Sequence, residues 1–153
     1  MDVIGIDFSS KAIDIVTIRF DADEPRWTHI PITGSFDGSR AMRDILPPAS
    51  WWENTLLVAV EKPMSQQRNS ISALMRLQGA IVASVPRDIR TWELPPWEWK
   101  KEIGLAGNAK KVDVAVWALD HGADLEWSQD ACDALGLATA ALNVNARALE
   151  EAA

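Results

Sequence analysis

The chain has 153 residues, 48% of them hydrophobic, a length and composition that predict a single domain, residues 1–153, with a real core. No apolar run approaches the roughly 20 residues needed to span a membrane, and the start Met1-Asp2-Val3-Ile4 lacks the basic and small-residue pattern of a signal peptide. The single cysteine, Cys132, excludes an intrachain disulfide and a multi-cysteine zinc site, and the expected setting is the reducing cytoplasm.

The net charge of −7 argues at first against a nucleic-acid partner, but the charge is segregated. Residues 62–111 carry nine basic and four acidic side chains, while 1–61 and 112–153 are both net acidic. An acidic pocket beside a basic track is what a metal-dependent nuclease needs.

In chain order, residues 2–8 alternate around Val3, Ile4 and Ile6 and predict a first strand. Ser9-Ser10-Lys11 is a tight connection to a second strand over 12–20, paired antiparallel with the first. A turn at 21–25 precedes a third strand over 26–33. Asp37 or Ser39 can cap a short helix with Met42, Ile45 and Leu46, stopped by Pro47-Pro48. A buried strand follows at 55–61, then a long helix from Ser65 to about Val85, ended by Pro86. A fifth strand is expected over 87–93. Pro95-Pro96 opens a short helix to about Ile103, and Gly104-Leu105-Ala106-Gly107 is a loop. Asn108 is the expected cap of a helix over 109–120, and a last helix starts near Ser128 and runs to about Glu150. This order predicts an α/β fold: a mixed five-stranded sheet, its first three strands antiparallel, with helices on both faces.

Four acids stand out on this scheme. Asp7 ends the apolar run Val3-Ile4-Gly5-Ile6, and Glu61 ends Leu56-Leu57-Val58-Ala59-Val60. Asp130 and Asp133, at i and i+3, share one face of the last helix, about 5–6 Å apart at Cβ. Carboxylates placed where buried strands run out are costly unless paired. A hard divalent cation such as Mg²⁺ prefers such oxygen ligands, so the four acids are candidate metal ligands and catalytic residues. If the first strand lies beside the strand at 55–61 and the last helix faces their ends, all four converge. Two Mg²⁺ ions would relieve their repulsion and define a site for phosphodiester hydrolysis. Taken singly, Asp7 is also compatible with a strand-end turn, and Asp130 and Asp133 with charges that complement a helix N-terminus.

With these residues in view, the chain resembles the RuvC family of Holliday junction resolvases in the RNase H-like nuclease superfamily. The matching segments are Ile4-Gly5-Ile6-Asp7, Val60-Glu61, Gly107-Asn108-Ala109-Lys110-Lys111 and Asp130-Ala131-Cys132-Asp133-Ala134-Leu135-Gly136-Leu137-Ala138. The resemblance implies an RNase H-like fold and a homodimeric, Mg²⁺-dependent endonuclease, Mn²⁺ being a possible substitute, that makes paired nicks across a four-way DNA junction. It implies Asp7, Glu61, Asp130 and Asp133 as the metal-binding catalytic set, and no small-molecule cofactor. Ser9, Ser10, Lys11, Lys62, Met64, Arg68, Lys100, Lys101, Lys110 and Lys111 are the candidate DNA contacts, Lys111 matching a family lysine near the scissile phosphate. Leu74, Leu77 and Ile81, on the apolar side of the long helix, are candidates for the dimer interface. Two departures bear on substrate choice: Phe8-Ser9 follows Asp7 where relatives commonly have Pro-Gly, and Met64 stands where many have an aromatic wedge.

Other readings stay open beside these. A broader branched-DNA endonuclease acting on flaps and forks, or a junction-binding protein with weak cleavage, shares the same features. Ile4-Gly5-Ile6-Asp7-Phe8-Ser9-Ser10 also looks like the first phosphate loop of an actin-like ATPase, but that fold needs a second such domain and a second glycine-rich loop. Eight tryptophans against no tyrosine is unusual; those at 51, 52, 92, 97 and 99 read as core and cover packing rather than base-stacking platforms. Cys132 reads as a small apolar residue, and His29 and His121 as surface residues outside the site.

Overall fold

The computed structural model describes residues 1–20, 22, 24–32, 49–64 and 68–151. Its centre is a five-stranded sheet of β1 (Asp2–Phe8), β2 (Ala12–Arg19), β3 (Arg26–Pro31), β4 (Thr55–Glu61) and β5 (Arg90–Leu94), in the order β3-β2-β1-β4-β5. The first three strands are antiparallel, while β4 runs parallel to β1 and β5 parallel to β4. The expected mixed sheet is therefore present. The described helices are α1 (Arg68–Ser84), α2 (Pro96–Glu102), α3 (Lys111–Asp120) and α4 (Gln129–Glu151), and a 3₁₀ turn spans Ala49–Trp52.

Period-2 alternation divides the central strands between two cores. Ile4, Ile6, Ile13, Ile15, Val58 and Val60 face one side, where Leu77 and Ile81 of α1 and Trp52 cover them. Val3, Val16, Leu57 and Ala59 face the other, under α4 and residues of α2 and α3. The central strands are buried on both faces, which is why they read as continuous apolar runs. This packing corrects the dimer assignment: Leu77 and Ile81 are 2% and 1% exposed within one chain, so they are core residues with no surface for a partner. Leu74 is only partly buried.

α4 approaches the sheet more closely than an ordinary strand would allow. A Cβ built on Gly5 would lie 1.9 Å from the Ala134 carbonyl oxygen and 2.7 Å from the Ala138 nitrogen. Gly5 on β1 and the small residues Ala134 and Ala138 on α4 thus let the helix backbone rest on the strand. The contact lies two residues before Asp7 and one after Asp133, so the close approach also sets where the acids meet.

Element boundaries differ from expectation where local bonding competes. β5 begins at Arg90 rather than 87 because a turn, with the Ile89 N–H donating to the Pro86 carbonyl at 3.0 Å, uses the residues between. α3 begins at Lys111, and Asn108 does not cap it: the Asp113 carboxylate accepts the Lys110 N–H at 2.7 Å. Ser128 does start α4, its hydroxyl oxygen accepting the Ala131 N–H at 3.0 Å. The short helix expected around Met42–Leu46 and the 65–67 start of the long helix lie outside the described residues. No helix among the described residues is long and apolar enough to cross a membrane.

Candidate active site

The parallel register pairs Ile6 of β1 with Val60 of β4, so the next residue on each strand, Asp7 and Glu61, ends side by side on the α4 face. Asp133 stands on the first turns of α4 above them, with Asp130 one turn earlier. Asp7 is 7% exposed; Glu61, Asp130 and Asp133 are partly buried. Asp7 and Glu61 line a cleft of about 490 Å³ together with Phe8, Met64, Leu74, Trp97 and Gly107.

Burial and mutual repulsion make Asp7, Glu61 and Asp133 reluctant to ionise. Asp7 is pushed well above the usual carboxylate range by burial, then by the charges of Glu61, Asp133 and Asp130, with the Phe8 N–H acting weakly the other way. Burial raises Glu61 to about 7; the Trp99 indole N–H opposes this, Asp133 and Asp130 add to it, and the Lys100 ammonium offsets part. Burial raises Asp133 to about 6, against the Gln129 amide, Lys100 and Lys111. All four acids therefore sit within electrostatic reach of one another.

Their oxygens are engaged by protein donors. Asp7 Oδ1 accepts the Phe8 N–H at 2.9 Å, Glu61 Oε2 accepts Trp99 Nε1–H at 2.9 Å, and Asp133 Oδ1 accepts the Gln129 amide at 3.0 Å. Among the described residues, no three His, Cys, Asp or Glu side chains are drawn into a ready-made metal cage. The donor chemistry nonetheless fits a hard divalent ion: four carboxylates within electrostatic reach of one another, buried or partly buried, two of which, Asp7 and Glu61, line the cleft. Asp7, Glu61, Asp130 and Asp133 are the residues that would hold it.

The sign of the pH dependence follows from these shifts. Glu61 and Asp133 bind protons more tightly folded than unfolded, against ordinary values of 4.5 and 3.8, so unfolding releases protons in this range. Stability is then lost as pH rises through about 6 to 7 and regained as it falls toward the ordinary carboxylate range. In EDTA, the melting temperature is expected to rise as pH is lowered from 8 to 5.5. With Mg²⁺ in place of the protons, the same scan should flatten. An EDTA profile that climbs with pH between 6 and 8 would remove the carboxylate cluster as its cause.

Of the expected DNA contacts, Met64 lines this cleft, and Lys100 and Lys111 lie within electrostatic reach of the acids. Lys100 is partly buried with its ammonium on the Ala109 carbonyl at 2.9 Å, and Lys111 is exposed within reach of Asp133. Lys101 is exposed, its ammonium 5.3 Å from the centre of the Trp97 ring. Lys62 and Lys110 are exposed, and the Lys62 N–H extends the β5 pairing through the Leu94 carbonyl at 2.9 Å. Ser9 is turned inward: its hydroxyl accepts the N–H groups of Lys11 and Ala12 at 3.2 and 3.3 Å, building the hairpin, while Ser10 and Lys11 are exposed. Met64 is 57% exposed at the cleft. The side chain of Arg68 lies outside the described residues.

Several residues at the site were not singled out by sequence. Trp99 and Trp52 are core, but Trp97, expected to be packed, is 48% exposed. Asp14 is 1% exposed opposite Asp7, where Oδ1 accepts Trp27 Nε1–H at 2.8 Å, meets His29 Nδ1 at 3.0 Å and accepts the Ser128 hydroxyl at 3.3 Å. It ties β2 and β3 to the start of α4. The available signal was an acid inside the apolar strand Ala12-Ile13-Asp14-Ile15-Val16. His29 is thus a partner of Asp14, and His121 stacks on Trp117 with ring centres 4.2 Å apart. Cys132 is buried as expected.

A mixed five-stranded sheet in this order, with helices packed on it, is the RNase H-like architecture. Two solved structures share the fold over nearly the whole chain. One is Thermus thermophilus RuvC, with a TM-score of 0.72 and 18% identity over 97% of this chain and 97% of that one. The other is T. thermophilus RuvC in complex with a Holliday junction substrate, with a TM-score of 0.72 and 18% identity over 97% of this chain and 96% of that one. No protein-family model matches the chain, and no curated protein sequence does.

Proposed function

We propose that this protein is a divalent-metal-dependent endonuclease that resolves four-way DNA junctions by paired nicks, acting as a homodimer. The observation that carries the reading is the electrostatic convergence of Asp7, Glu61, Asp130 and Asp133 beside an open cleft, with Lys100 and Lys111 next to them. The fold shared with RuvC, one of whose structures holds a Holliday junction, supports it.

Each residue then has a task. The four carboxylates would hold the cations, whose chemistry there would be to activate a water for attack and to stabilise the departing oxygen. Lys100 balances charge on Glu61 and Asp133. Lys111, exposed at the start of α3 and within reach of Asp133, neutralises a phosphate and carries no sequence information. A two-fold substrate favours a two-fold enzyme. With Leu77 and Ile81 committed to the core, the exposed Met75 and the half-buried Leu74 are what α1 offers a second copy.

The test is incubation with Mg²⁺ and matched synthetic four-way junction, flap, fork and linear duplex. Symmetric paired nicks in the junction are expected. Tight binding without any cut would replace the reading with that of a junction-binding protein. Equal cutting of flaps and forks would establish the broader nuclease, which the exposed, non-aromatic Met64 at the cleft favours as the second reading. Lys111→Ala should weaken junction binding and lower the slope of log K against log salt by about 1, read by titration at several salt concentrations. An unchanged slope would remove Lys111 from the phosphate track.

A further inference from the structure

Trp99 occupies an unusual place for a large aromatic that carries a polar N–H. It is 0% exposed in the middle of α2, and a buried indole N–H needs a partner. That partner is Glu61: Nε1–H donates to Oε2 at 2.9 Å. The ring is held by its neighbours. Against it lies Gly136 of α4, where an added Cβ would stand 2.5 Å from Trp99 Cζ3. The Lys100 ammonium is 5.5 Å from the ring centre and is itself tied to the Ala109 carbonyl at 2.9 Å. The helix under the ring is fixed by Pro96 at its first turn and by the Ile103 N–H, which donates to the Trp99 carbonyl at 3.2 Å.

The indole is therefore a rigid donor, and the glutamate it meets is not rigid by itself. Glu61 has three side-chain torsions and stands at a strand end. The bond to Oε2 removes most of that freedom and leaves Oε1 as the oxygen without this tie. A carboxylate held by one oxygen presents the other as a single-oxygen ligand of defined direction.

We propose that Trp99 is a positioning residue that fixes Glu61 as a single-oxygen ligand for a divalent cation, so that metal affinity depends on an indole that does not itself touch the metal. The inference deepens the nuclease reading and rests on it. Hydrogen-bond partners of ligating carboxylates orient them, and losing such a partner typically costs about 10- to 100-fold in metal affinity. Gly136 belongs to the same device, because any side chain there would displace the ring.

The experiment uses the full chain and Mg²⁺ alone. Calorimetric titration of wild type and Trp99→Phe, which keeps an aromatic ring and deletes the donor, should show Mg²⁺ affinity lower in the variant by about 10- to 100-fold. Junction binding in EDTA should be unchanged, since a merely structural defect would weaken both. Cleavage should need correspondingly more Mg²⁺. In the wild-type chain itself, the assigned Trp99 indole ¹H–¹⁵N resonance should exchange slowly with solvent and shift along the Mg²⁺ titration, a readout that stands even if the variant folds poorly. Wild type that binds Mg²⁺ and cuts DNA, with a Trp99 indole unmoved by Mg²⁺ or a folded Trp99→Phe of unchanged affinity, overturns this inference alone. Wild type that takes up no Mg²⁺ overturns it together with the nuclease reading.

Discussion

Replacing Asp7 with Asn is expected to lower junction cleavage by on the order of 10³-fold or more while leaving junction binding intact. Asp7 is the most buried of the four acids and feels the charge of each of the others. An amide in its place keeps the shape and the bond to the Phe8 N–H but offers a cation no charge. Removing one negative charge from a cluster facing DNA should also tighten binding, or leave it equal. The same change relieves repulsion, so the variant should melt at a higher temperature than wild type in EDTA at pH 8. Single-turnover cleavage, junction binding in EDTA and thermal melting measure the three effects. Cleavage at the wild-type rate would mean that these acids are not the catalytic set. Lost binding together with a lowered melting temperature would mean that Asp7 is structural.

Gly5→Ala is expected to be the most damaging added methyl among the described glycines. On propensity alone the change should help, since glycine in a strand interior costs roughly 0.5–1 kcal/mol relative to alanine. The contact decides otherwise. The new Cβ would stand 1.9 Å from one backbone atom of α4 and 2.7 Å from another, and backbone in mid-helix cannot turn aside as a side chain does. Overpacking typically costs about 1–3 kcal/mol, occasionally more, and a clash with two backbone atoms of a helix belongs at or above the top of that range. Urea unfolding should show the loss as a lower midpoint. If the protein accommodates the methyl by lifting α4, Asp130 and Asp133 move away from Asp7 and Glu61, and cleavage falls with stability. Wild-type stability would show that the helix is not seated on Gly5.

The strands themselves and the shared helix face of Asp130 and Asp133 were legible because they follow from local chemistry, whereas the strand order rests on pairings between distant segments. Asp7 and Glu61 each close an apolar run, and the spacing of Asp130 and Asp133 places them on one helix face. Other residues were not legible for particular reasons. Leu77 and Ile81 carry the same apolar signal whether they cover the chain's own sheet or a second copy, and only packing assigns them to the core. The tryptophans between Leu94 and Lys100 look alike in sequence. Two residues apart on a short helix they point in different directions, so Trp99 is buried under α4 while Trp97 opens onto the cleft. Asp14 reads as an exposed strand position until β3 and Ser128 are brought around it.

Gly5 draws the line between the two kinds of knowledge. The sequence by itself determined the elements and the acids, because alternation, strand-end carboxylates and i, i+3 spacing are properties of neighbouring residues. Only the tertiary structure decided what Gly5 is for, and with it the seating of α4, the convergence of four charges and the bond from Trp99 to Glu61. These depend on residues between 38 and well over 100 positions apart in the chain, and no local pattern encodes a distance between them.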